Sequence, residues 1–376
     1  MSNHRLFEST RLGRLPLGNR LAVAPMTRVS AGADGLVTDQ MIEYYRGFAE
    51  GGFGLVITEG LYTDRVYSQG YQGQPGLTCQ AQGESWKPLN QALHAAGARS
   101  IAQLMHAGAL SQFNAFSSDT AGPSAIQPRG QQMSFYDGVG SYALPRAMTV
   151  SDIDTAIRGF ADAALLAQAA GFDGVEIHGA NGYLLDQFLS VSTNARTDAY
   201  GGRPENRVRL ICEVIQAVRH VTAKDFVVGV RISQTKVNDD QHRWPEAEAA
   251  AATIFSTIAQ AGADYIHTTE PDAAAPAFEG SDSLASLAAR FGGVPVIANG
   301  GVEAGDQALR LVQEQGAALV ALGKAALANP DWARRVCEGS ELRGFDFALL
   351  APRADLENAQ RYFTERSAGG QVESTL

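Results

Sequence analysis

Cysteine is scarce in this sequence: Cys79, Cys212 and Cys337 are the three in 376 residues, and none sits in a CxxC pair. That excludes a disulfide framework, zinc knuckles and thiolate-held iron–sulfur clusters, and it leads us to expect a reducing, cytoplasmic setting. Basic residues are outnumbered, 30 Lys+Arg against 40 Asp+Glu for a net charge of -10, and no dense Lys/Arg run occurs, so no nucleic-acid partner is expected. No stretch approaches the roughly eighteen apolar residues of a membrane span, and Arg5, Arg11, Arg14 and Arg20 break up the beginning of the chain. Neither a membrane span nor a secretory leader is therefore expected. H-x-x-x-H and paired-carboxylate patterns are also missing, so no metal site is expected. What remains is 45% hydrophobic residues, enough for a large buried core, which excludes a disordered chain.

Those apolar residues come in short runs, each followed by a helical stretch. Eight runs read as strands: Leu21 to Ala24, Leu55 to Thr58, Ser100 to Leu104, Gly174 to Ile177, Val227 to Ile232, Tyr265 to Thr268, Pro295 to Ala298 and Ala318 to Leu322. None alternates cleanly, as befits parallel strands covered on both faces. Between them, Ser151 and Asp154 form an S-x-x-D capping signal, with Ile153, Ile157, Phe160 and Leu165 on one helix face and Gly171 as the stop. Pro204 and Pro245 stand at first helical positions. Such repeating units predict an α/β fold, a single (β/α)8 TIM barrel, rather than an open doubly wound sheet, which would announce itself with an early GxGxxG or GxxxxGKS/T loop. We expect one domain over 1–376, with a loop or hairpin at 107–150 after the third strand capping the catalytic face and a C-terminal extension at 340–376.

Barrels keep their chemistry at the C-terminal strand ends. Reading along those ends gives Pro25-Met26-Thr27-Arg28, Glu59-Gly60, Gln103 with His106, then His178, Asn181 and Tyr183, Arg231, Asn299-Gly300-Gly301 and Gly323-Lys324. This set is rich in neutral hydrogen-bonding groups and suits a large, planar, anionic organic ligand. The loops after strands seven and eight often hold phosphate, and Gly300-Gly301 with Lys324 offers backbone N–H groups and a charge. Arg231, closing an apolar run, either meets such a ligand or forms a salt bridge to Glu59 or Glu270. His106, His267 and Glu59 are taken as structural.

One segment is more specific. Gly171-Phe-Asp-Gly-Val-Glu-Ile-His178-Gly-Ala-Asn181-Gly-Tyr183, with Arg196-Thr-Asp-Ala-Tyr-Gly-Gly-Arg-Pro-Glu and Asn206-Arg207 downstream, resembles the signature of the old yellow enzyme family. The likeness extends over nearly the whole chain, from Asn19-Arg20 to Asn329-Pro330. It implies an FMN-dependent ene-reductase that NADH or NADPH reduces and that passes hydride to an activated alkene. By the same resemblance, Pro25, Met26, Thr27, Gly60 and Gln103 hold the isoalloxazine and Arg231 meets its N1/O2 edge. Gly300, Gly301, Gly323 and Lys324 cradle the phosphate. His178 and Asn181 bind the substrate's activating oxygen, Tyr183 is the proton donor and Tyr71 lines the substrate side. Departures from the family pattern are Lys324 for a common arginine, Met105 for a tryptophan of one branch, Ala109 for an arginine, and Thr27 for a cysteine of another branch. The segment Asn358 to Gly370 lacks an aromatic tail typical of one branch. They bear on substrate preference. A nitro or nitrate-ester reductase on the same site, a lyase or isomerase of phosphorylated substrates using Lys324 or Lys236 as a Schiff base, and a non-catalytic flavin sensor are the alternatives. The expected partners are small molecules, with the chain a monomer or homodimer.

Overall fold

The computed structural model describes residues 3–369. Eight parallel strands close a barrel: β1 (Leu21–Val23), β2 (Leu55–Tyr62), β3 (Arg99–Met105), β4 (Gly174–Asn181), β5 (Val227–Lys236), β6 (Tyr265–Thr269), β7 (Val296–Asn299) and β8 (Leu319–Leu322), with β8 pairing back onto β1. Every strand hydrogen-bonds its sequence neighbours, so the fold is a (β/α)8 barrel. Strands β2, β4 and β5 outrun the apolar runs that announced them. The residues gained include buried polar ones, Glu59, His178 and Gln234 among them, because a barrel strand admits any side chain whose groups find a place. Arg231 consequently lies in the middle of β5 and not at its tip.

The helix after the insertion, α1 (Val150–Ala169), corrects two sequence readings. Its cap is Thr149, not Ser151: the Thr149 hydroxyl accepts from Asp152 N while the Asp152 carboxylate accepts from Thr149 N at 2.7 Å. Leu165 is exposed rather than buried, because Ala156, Ala163, Ala164 and Ala167 form the close-packed face. The stretch opened by Pro204 is two pieces, Pro204–Arg207 and Arg209–Val221, with Val208 between them.

Three elements outside the eight units shape the two barrel mouths. At the N-terminal mouth, an antiparallel hairpin (Thr10–Leu12 with Leu15–Leu17) buries Leu12, Leu15 and Leu17 against Leu55, Ile101, Val227 and Leu319. A Leu12→Ala variant is expected to lose about 2–5 kcal/mol of stability, read as a lower urea midpoint. At the other mouth, residues 107–150 form turns, a two-residue parallel pair (Ala121–Gly122 with Arg146–Ala147) and a single bridge from Gln131 to Ser141. After β8 the chain returns across the same mouth, where Phe347 packs edge-on against Phe135 at 5.6 Å, before the helix Leu356–Gly369. Gly370, the end of the segment read as lacking an aromatic tail, and the last residues of the C-terminal extension lie outside the described residues. Among the described residues no helix is long and apolar enough to cross a membrane.

Candidate active site

A cavity of about 660 Å³ opens at the C-terminal ends of the strands. Pro25, Met26, Thr27, Gln103, His178, Asn181, Tyr183, Arg231, Gly300, Gly301, Gly323 and Lys324 all line it. Barrel closure thus gathers side chains that are up to some three hundred residues apart in sequence. Two expected residues are not at its wall. Gly60 is sealed off by Met105, whose Sδ would lie 2.5 Å from a Cβ at that position, and its carbonyl accepts from Gln74 Nε2 at 2.7 Å. Tyr71 is fully buried behind Tyr183, with the two phenol oxygens 2.5 Å apart. Its place is one layer back from the substrate side, because the cap puts Tyr136 against its ring at a centroid distance of 4.7 Å.

One wall carries His178, Asn181 and Tyr183. Residues 176 and 178 of β4 share the inward face by strand alternation, and His178 sits level with Arg231 across the ladder. Burial, followed by the nearby Arg231 charge, lowers His178 to about 3, so the imidazole is neutral and carries one proton. Its Nδ1 is sealed without a partner, and Nε2 is the nitrogen left to face the cavity. Asn181 adopts a left-handed backbone (φ 62°), a conformation asparagine tolerates better than most residues. Its backbone N–H donates to Ser233 Oγ at 2.8 Å, its Oδ1 is buried without a partner, and its amide nitrogen remains for the cavity. The following turn is anchored from below: Gly182 N donates to Asp186 Oδ2 at 2.7 Å, and Asp186 forms a buried ion pair with Lys236. Tyr183 lies with its ring 5.1 Å from His178, and burial above all pushes its phenol well above the usual range, so it holds its proton at any working pH.

The floor and the far rim are built for a larger, anionic group. Arg231 donates from Nη2 to Asn299 Oδ1 at 2.8 Å and to Thr269 Oγ1 at 3.1 Å, which fixes the guanidinium on the cavity floor. It pairs with neither Glu59 nor Glu270, whose carboxylates accept from Arg28 N and Gln234 N. Burial lowers Arg231 to about 10, leaving it charged near neutrality. Gly300 (φ 143°) turns so tightly that a Cβ would lie 2.0 Å from the Glu270 carbonyl. At Gly323 the reverse holds: a Cβ would meet only Met26 Sδ at 3.7 Å, so its missing side chain leaves open a cradle over the cavity. Lys324 beside it rests its ammonium 5.8 Å from the Phe345 ring centre. A cationic floor, amide and hydroxyl rims from Gln103 and Thr27, and an open glycine cradle with a lysine match a flavin mononucleotide in both its ring and its phosphate.

Several lining residues escaped the sequence reading. Met133, Phe135 and Tyr136 from the 107–150 insertion, Val237 from the loop after β5 and Leu350 from the C-terminal return give the mouth its apolar wall. Tyr136 also donates to the Thr27 carbonyl at 3.1 Å, tying the cap to the first strand end. Nothing local marks these residues; only the folded path of two loops brings them in. Glu59, by contrast, stays off the wall. It accepts from Tyr45 Oη at 3.2 Å, and burial raises it to about 7. The folded state then holds a proton that the unfolded chain releases near 4.3, so stability falls as pH rises through that interval. The expected loss is on the order of 2–3 kcal/mol, and Glu59→Gln should flatten the slope in urea titrations at pH 5 and pH 8.

This combination of barrel and site defines an FMN-dependent oxidoreductase that takes its electrons from a reduced nicotinamide. The sequence pattern of the NADH:flavin oxidoreductase / NADH oxidase family matches residues 5–343, and the chain belongs to that family, the old yellow enzyme family. A flavin oxidoreductase of Emericella nidulans is 34% identical over 372 residues, covering 91% of this chain and 92% of that protein. A probable flavin mononucleotide-dependent alkene reductase of Leishmania infantum is 32% identical over 348 residues, covering 90% and 92%. Among solved structures, the old yellow enzyme homologue from Zymomonas mobilis superposes with a TM-score of 0.83 at 30% identity, over 94% of this chain and 99% of that one.

Proposed function

We propose that this protein reduces carbon–carbon double bonds activated by a neighbouring carbonyl or nitro group. The observation that carries the reading is one wall presenting the His178 imidazole, the Asn181 carboxamide and the Tyr183 phenol to the cavity that holds Arg231, Gln103 and Lys324. Bound FMN, once reduced by NADH or NADPH, supplies the hydride. His178 Nε2 and Asn181 Nδ2 donate to the activating oxygen and stabilise the negative charge that grows there as the β-carbon is reduced. Tyr183 delivers its Oη proton to the α-carbon, and Tyr71 Oη, at 2.5 Å, remains to hydrogen-bond the phenolate that is left. Met133, Phe135 and Tyr136 keep water from that wall. Lys236 is committed to Asp186, which removes it as a Schiff-base candidate.

The test is anaerobic: NADH or NADPH should bleach the yellow protein, and an enone should return the colour. Bleaching that only a nitroaromatic reverses would favour nitro reduction, and protein that does not bleach at all would leave a flavin sensor. Lys324 is assigned to the phosphate. Lys324→Ala should therefore weaken FMN binding by roughly 10- to 100-fold, as for loss of a charge-assisted hydrogen bond of about 1.5–3 kcal/mol. Release of flavin fluorescence on dilution measures it, and an unchanged affinity would place the phosphate elsewhere.

A further inference from the structure

Beneath the cavity floor lies a polar cluster that touches no ligand surface. Glu176 of β4 is fully buried and accepts three hydrogen bonds: from Gln103 Nε2 at 2.8 Å, from Tyr265 Oη at 3.0 Å and from His267 Nδ1 at 2.8 Å. Facing a carboxylate, His267 must carry its proton on Nδ1, and its Nε2 is buried without a partner. The layers follow from register: Gln103 is level with Glu176, Tyr265 with Gly229, and His267 with Arg231. Gly229 interrupts the valines at 227, 228 and 230 for a steric reason, since a Cβ there would lie 2.0 Å from the Tyr265 ring. The chain gives up a side chain in the middle of β5 to let that phenol reach the carboxylate. A carboxylate taken wholly out of water in an enzyme core is costly unless paired, and such arrangements cluster at functional sites.

We infer that Glu176 is a positioning residue that lowers the reduction potential of bound FMN through Gln103 and Arg231. The inference rests on those two residues facing the flavin as assigned above. Two effects act in the same direction. Gln103 spends an amide hydrogen on Glu176, which leaves its carboxamide one donor fewer for the cavity wall. Glu176 also shares the inward face with Arg231, two residues along the ladder between β4 and β5, so its charge acts on the guanidinium. The carboxylate therefore takes up part of the positive field that would otherwise welcome the negative charge a flavin gains on reduction. A purely structural cluster would hold the floor together without moving that potential.

The experiment is the midpoint potential of FMN in the holoenzyme, measured by dye equilibration, together with its visible spectrum. Glu176→Gln should shift the potential positive, speed reduction by NADPH and slow reoxidation by an enone, while Glu176→Asp should stay near wild type. Tyr265→Phe removes a donor from the carboxylate and should shift the potential negative, and it decides the matter if Glu176→Gln fails to fold. Arg231→Gln, which removes the charge, separates this inference from the reading beneath it. No shift in Arg231→Gln means the guanidinium does not face the flavin, and the site assignment itself fails. A shift in Arg231→Gln with none in Glu176→Gln or Tyr265→Phe overturns the role of Glu176 alone.

Discussion

Tyr183→Phe is expected to slow enone reduction by roughly 100- to 10,000-fold, the range a positioned general acid contributes, while leaving flavin reduction by NADH or NADPH near wild type. The asymmetry follows from what each half-reaction asks of the phenol. Hydride arriving from a nicotinamide needs no proton from this wall, whereas the α-carbon of an alkene does. Burial keeps the Tyr183 phenol protonated, so it is a donor throughout the accessible pH range, and the Tyr71 hydroxyl stands ready to stabilise it once the proton has left. Tyr71→Phe should give a smaller defect of the same kind. Stopped-flow traces of the two half-reactions measured separately decide the point. Equal loss in both would mean that Tyr183 shapes the pocket and carries no proton.

The second large effect concerns the oxygen-binding pair. His178→Ala or Asn181→Ala should each slow alkene reduction by roughly 100- to 1000-fold, corresponding to about 2.7–4 kcal/mol of transition-state stabilisation per donor. The double variant should fall short of the product of the two, since both groups act on one oxygen. The pH profile carries a separate signature. His178 is lowered to about 3, so the neutral, donating imidazole is fully present from about pH 4 upward. The rate should therefore show no step near 6.5, where an ordinary histidine titrates. A clear inflection there that disappears in His178→Ala would instead identify a charged imidazolium as the working form.

Several features were legible before any fold was known, and each had a local physical cause. Short apolar runs separated by helical periods reported strands buried on both faces. The glycines at 300, 301 and 323 and the motif from Gly171 to Tyr183 carried their chemistry in adjacent residues. Boundaries were less legible where polarity and burial part company. Glu59, His178 and Arg231 look like strand ends in sequence but lie inside strands, because buried polar groups there find partners far along the chain: Arg231 on Thr269 and Asn299 of neighbouring strands, Glu59 on Tyr45 of a helix. The cap on α1 shifted by two residues for a similar reason: Thr149 and Asp152 satisfy each other, and nothing in the pattern ranks that pair above Ser151 and Asp154.

By itself the sequence announced the barrel through its periodicity, and its resemblance to a known family named the expected flavin contacts and the imidazole, carboxamide and phenol, since periodicity and motif are properties of neighbouring residues. Only the tertiary structure decided that Tyr71 stands behind Tyr183, that Gly60 is covered by Met105, that Lys236 is held by Asp186 and that Glu176 lies beneath Gln103. Those are contacts across strands and loops, fixed by ladder register and barrel closure, and distance along the chain holds no record of them.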